Sequence, residues 1–79
     1  MNFDTLRIDK KLKKRLKEAF DRRVEMRVRS RLAQNRLSME DFTPEELEII
    51  YEDERVRLAD ELKSKGLIAL LAALGLSLF

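Results

Sequence analysis

The sequence predicts an all-α protein, a small helical hairpin or three-helix arrangement completed by oligomerisation. Three observations carry that expectation. Charged residues make up 41% of the 79 residues, most of them Lys, Arg and Glu, which are strong helix formers. Only 2 Gly and 1 Pro interrupt the chain, too few for the turns of a sheet protein. Apolar side chains recur at spacings of three and four, the period of a helix face.

Size explains why oligomerisation belongs to the expectation. A chain of this length buries a modest fraction of its surface, and proteins this small usually add disulfides, a metal or a second subunit. Cysteine and histidine are both absent, which excludes disulfides, thiolate sites and the commonest transition-metal ligand. No cofactor is expected.

The first element is a helix within residues 9–36, with Asp9 as its N-cap. Ile8, Leu12, Leu16, Ala19 and Phe20 form its stripe, and Val24, Val28 and Leu32 continue a row spaced by fours. Such a row drifts about 40° per step on a helix of 3.6 residues per turn. Either the helix wraps its partner or it breaks near Asp21–Arg23. Residues 23–32 also alternate Arg or Glu with apolar or small residues, a strand period. Helix is the expectation, since no turn residue precedes that stretch.

Residues 34–41 read as a connection, with Asn35 and Ser38 as turn or cap residues. Thr43-Pro44-Glu45-Glu46 then opens a second helix over 43–65. Thr43 is its N-cap, Pro44 its first helical residue and Glu46 the partner in a capping box, with Phe42 and Leu47 placed for a hydrophobic staple. Leu47, Ile50, Tyr51, Leu58 and Leu62 give its apolar face, which Ile49 and Val56 are expected to widen. Gly66 reads as a left-handed C-cap followed by Leu67.

Residues 67–79 are apolar on every side, as in a core or a bilayer. As a helix they reach about 20 Å against a hydrocarbon core of about 30 Å, too short to span alone. Ala69, Ala73 and Ser77 make a small-residue row that permits close helix approach. One copy of the chain is expected to offer too little apolar surface to shelter this tail. The interface candidates are therefore Leu12, Leu16 and Phe20 together with Leu67, Ile68, Leu70, Leu71, Leu74, Leu78 and Phe79.

Charge is distributed in blocks. Residues 1–36 hold thirteen basic and five acidic side chains, a balance of +8; residues 37–65 hold four and ten, a balance of −6; residues 66–79 hold none. Lys10, Lys11, Lys13, Lys14, Arg15 and Lys17, extended by Arg22, Arg23, Arg27, Arg29 and Arg31, are candidates for neutralising nucleic-acid phosphates. The competing reading is that the acidic helix lies along the basic one and screens it.

No enzyme activity is expected. The hydroxyls of Thr5, Ser30, Ser38, Thr43, Ser64 and Ser77 have no evident base, and no glycine loop cradles phosphate. Glu48, Glu52 and Asp53 share part of a helix surface, read as a solvated acidic face in preference to a cation site. The expected function is binding or assembly through helix packing, with a homo-oligomer or a protein partner. A small nucleic-acid-binding regulator is the first alternative and a small membrane-associated protein the second. Without a signal peptide, the expected location is cytoplasmic, peripheral to a membrane in the last of these readings.

Glu46-Leu47, Tyr51 and Arg57-Leu58-Ala59 resemble the third helix of the Hha/YmoA family of nucleoid-associated modulators. That resemblance implies a small helical protein working through a DNA-binding partner. The apolar tail departs from the family pattern.

Overall fold

The computed structural model describes residues 9–76, and among them every regular element is helical. Ile8, Ser77, Leu78 and Phe79, expected in the stripe, the small-residue row and the interface, lie outside the described residues. Helix α1 spans Lys10–Gln34 without a break. A short 3-10 turn at Met39–Asp41 leads to α2, Pro44–Leu62, and α3 follows at Leu67–Ala73.

The residues that open and close each helix explain its bounds. Asp9 accepts a hydrogen bond from the Leu12 N–H at 2.7 Å. At the other end of α1 the Arg36 N–H donates to the Ala33 carbonyl and the Leu37 N–H to the Leu32 carbonyl, a Schellman closure. Arg36 takes the left-handed position with φ 58°, where glycine is usual. The Asn35 side chain covers one more orphan acceptor, the Arg31 carbonyl, at 3.0 Å.

Helix α2 begins as its sequence dictates. The Glu46 N–H donates to Thr43 Oγ1 at 3.2 Å and the Thr43 N–H to Glu46 Oε1 at 2.9 Å, so two orphan donors are satisfied reciprocally. Its end differs from the expectation. α2 stops at Leu62, and Gly66 is extended (φ −69°, ψ 170°) as the residue that opens α3. The left-handed glycine is Gly75, φ +74°, which closes α3 by a second Schellman motif.

The apolar row of α1 settles whether the helix wraps or breaks. Leu16, Phe20, Val24, Val28 and Leu32 are all buried, with Ala19 beside them. Four steps of about 40° turn the buried side by about 160° from Leu16 to Leu32, so no single straight partner could cover both ends. Glu61 in the last turn of α2 meets α1 at Arg27, so α2 lies along the C-terminal half of α1. Leu70 and Leu71 of α3 join the same core cluster as the α1 row and as Leu58 and Leu62 of α2. Residues 23–32 are therefore helix, because their alternate side chains are not on one buried face: Val24 and Val28 are inside, Met26 is 60% exposed.

This core corrects the expectation for the tail. Leu70 and Leu71 are each 2% exposed inside one copy of the chain, alongside Leu16, Phe20, Leu58 and Leu62. Leu12 and Leu74 pack against that cluster. Of the candidate interface residues, Leu16, Phe20, Leu70 and Leu71 are therefore buried within one copy of the chain. Leu67 and Ile68 are the exceptions, both exposed, Ile68 at 76%. The physical reason is geometric: a seven-residue helix with only two buried leucines needs little cover, and the rotated row on α1 supplies it.

Candidate nucleic-acid interface

The cationic side chains predicted as one strip fall into two groups that do different things. In the C-terminal half of α1 they are held by carboxylates. Arg27 Nε donates to Glu54 Oε2 at 3.0 Å, while Nη1 and Nη2 donate to the two oxygens of Glu61 at 2.8 and 3.0 Å. Arg31 Nη1 reaches Asp53 Oδ2 at 2.6 Å and Glu54 Oε1 at 3.3 Å. Arg29 pairs with Glu25 one turn back on its own helix.

Glu54 is the one buried charged residue among those described, 4% exposed. It sits four and eight residues before Leu58 and Leu62, on the same stripe of α2. Both of its oxygens accept from arginine, which is what a carboxylate removed from water requires. The hydrogen bond to Glu61 raises the Arg27 pKa above its ordinary value, and the bond to Asp53 does the same for Arg31. Conversely, the Arg31 guanidinium holds Asp53 below the usual carboxylate range, and Arg27 does so for Glu61.

The N-terminal half is different. From Lys10 to Arg23 there are eight basic and two acidic side chains, over about 20 Å of helix. Lys10, Lys11, Lys14, Arg15, Lys17 and Arg22 are exposed and form no ion pair with a described residue, whereas Arg23, also exposed, lies in the field of Glu61 and helps hold its carboxyl below the usual range. Lys13 is half-buried and engaged in an interaction of its own. α2 has already ended where this half begins, and helix α3 carries no charge. The positive end of the α1 dipole lies at the same end of the molecule.

The two readings of the sequence therefore each describe half of the helix. Screening operates at Arg27 and Arg31 and reaches Arg23 through Glu61, and a cationic surface that α2 does not screen remains at residues 10–22. Among the described residues no aromatic ring is on that surface, since Phe20 is buried in the core.

The acidic cluster on α2 is also spoken for. Glu48 and Glu52 both accept from Arg55 Nη1 at 3.0 Å, and Arg55 lies 5.8 Å from the centre of the Tyr51 ring. Asp53 is shared by Arg31 and Arg57. Among the described residues no group of three or more carboxylates is placed to hold a metal ion, and no helix is long and apolar enough to cross a membrane.

Sequence reasoning missed the outer face of α2. Ile49 and Val56 were expected to widen the buried stripe, but they are 72% and 52% exposed. The signal was available: nine residues separate Ile49 from Leu58, which places them about 180° apart at 100° per residue. With Glu48, Glu52 and Asp53 they line a shallow open groove of about 430 Å³.

Comparison of the chain with family models, with curated proteins and with solved structures gives no match, and so adds nothing to the local resemblance of α2 to the Hha/YmoA modulators.

Proposed function

We propose that the protein works by binding, not catalysis, and that the N-terminal half of α1 is a phosphate-contacting strip for double-stranded nucleic acid. The observation that supports this reading is the set of six exposed cations between Lys10 and Arg22 that form no ion pair with a described residue, while the arginines further along the helix face carboxylates. Lysine and arginine on a rigid helix displace condensed counterions, a gain that does not depend on base sequence. The strip lacks the ring platforms that bind unstacked single strands, so a duplex backbone is its fitting ligand. We prefer this reading to assembly through helix packing, because Leu16, Phe20, Leu70 and Leu71, four of the side chains expected at such an interface, are buried within one chain.

Titration with generic duplex DNA at several salt concentrations tests the proposal. Affinity is expected to fall on the order of a hundredfold between 50 and 200 mM salt. The triple variant K10Q/K14Q/K17Q is expected to bind more weakly and to reduce the log–log salt slope by about 2–3. Absence of binding at low salt, or an unchanged slope in the triple variant, would sink it.

A further inference from the structure

The six exposed cations in the N-terminal half of α1 are not spread evenly round the helix. With Lys10 set at zero and each residue turned by about 100°, Lys10, Lys14 and Lys17 lie at about 0°, 40° and −20°, and Lys11, Arg15 and Arg22 at about 100°, 140° and 120°. They form two rows, about 110° apart, each running along roughly two to three turns. The buried side chains Leu16, Ala19 and Phe20 lie between about 180° and 280°. The midline between the rows, at about 60°, therefore points away from the core. In the gap between the rows Glu18, at about 80°, is the one side chain from Lys10 to Arg22. Asp21, at about 20°, follows Lys17 where the first row ends.

We propose that this half of α1 lies in the major groove of B-form DNA, with the Lys10–Lys14–Lys17 row on the phosphates of one strand and the Lys11–Arg15–Arg22 row on those of the other. The inference rests on the reading of this helix as a duplex-binding strip, and names the duplex and the groove. Two rows on the flanks of an outward-facing helix match two backbones on the flanks of a groove. A single backbone uses only one row, and seating the midline on it brings Glu18 against phosphate, a repulsion between like charges. In the groove the midline faces base edges instead, where cytosine presents an amino donor that a carboxylate can accept from. Size agrees with this placement. A helix with its side chains is about 10–12 Å across, while the B-form major groove is about 12 Å wide and the minor groove about 6 Å. The major groove of an RNA duplex is deep, narrow and closed to side chains, so double-stranded RNA is not an equal ligand.

Fluorescence anisotropy with the full chain at about 50 mM salt compares three duplexes of one sequence. The first is plain DNA. The second is DNA whose cytosines carry 5-glucosyloxymethyl groups, which fill the major groove and leave backbone charge and minor groove as they were. The third is RNA. Binding to the second and third is expected to be weaker by at least about tenfold. Equal affinity for plain and glucosylated DNA, or for DNA and RNA, overturns the groove placement and leaves phosphate binding standing. No binding to plain DNA removes both. A second measurement asks whether both rows are used. K10Q/K14Q/K17Q and K11Q/R15Q/R22Q each remove one row at exposed positions, and circular dichroism checks that helix content is kept. Each is expected to weaken binding to plain DNA by a similar factor and to lower the log–log salt slope by about 2–3. K14Q and R15Q, one from each row, replace the triple variants if helix is lost, with a slope change of about 1 each. If removing either row leaves binding as in wild type, that row is idle and the two-strand placement is overturned.

Discussion

Arg36 occupies a backbone conformation that its side chain does not favour. At φ 58° its Cβ crowds the following carbonyl, a cost of about 1–2 kcal/mol that glycine avoids. Arg36→Gly is expected to stabilise the protein by about 0.5–1 kcal/mol, after allowing for the greater freedom glycine gives the unfolded chain. Chemical denaturation measures it, and a loss of stability would contradict the left-handed assignment. Residue-scale features of this kind divide sharply in how far the sequence discloses them. Asp9 and Thr43 announce themselves because a capping residue's chemistry is local: a short oxygen-bearing side chain precedes a helical pattern. Arg36 does not announce itself, since arginine carries no turn signal and the closure is set by where Leu32 must be buried. Gly66 was read as the left-handed cap, whereas Gly75 takes that conformation, because an extended glycine and a left-handed one look the same in a sequence.

At the scale of helices, α1 and α2 are registered by arginine–carboxylate pairs whose charge states set a pH dependence. Asp53, Glu61 and Glu46 are all held below the ordinary carboxylate range, the first two by arginine and Glu46 by the Thr43 N–H. The unfolded chain therefore takes up these protons at a higher pH than the folded one. Their contribution is complete at neutral pH and is lost as pH falls through about 4 toward the depressed folded values. Arg27 and Arg31 are shifted upward and remain charged across that range. Thermal midpoints are expected to be flat from about pH 7 to 5.5 and to drop below about 4.5. D53N/E61Q should flatten the drop, and an unaltered profile in that variant would show that these pairs do not govern it. The element boundaries at the N-termini were legible, and so were the identities of the helices. What the sequence left open was the side of α1 that faces inward. A row spaced by fours states that the buried side rotates; it does not state which helices meet it.

For the whole molecule, the core takes in Leu70 and Leu71 within one chain, where the sequence led us to expect a second surface to be needed. The count of apolar residues in the tail did not disclose that these two are deeply buried while Ile68 is left outside. The candidate site was half legible. Basic residues at 10–23 could be named from the sequence, but the loss of Arg27 and Arg31 to α2 depends on where that helix ends, a tertiary fact. Leu71→Ala tests the closure: with 2% exposure it should cost about 3 kcal/mol, read as a lower urea midpoint. A change under about 0.5 kcal/mol would mean that α3 does not complete the core.

The seven residues of α3 have a temporal consequence. So short a segment cannot hold helical backbone by itself in water. Its amide bonds and the burial of Leu70 and Leu71 must form and dissolve together, as one local opening below the energy of global unfolding. Each such opening briefly wets the part of the core those two leucines share, so how deeply a side chain is buried does not by itself set how long it stays dry.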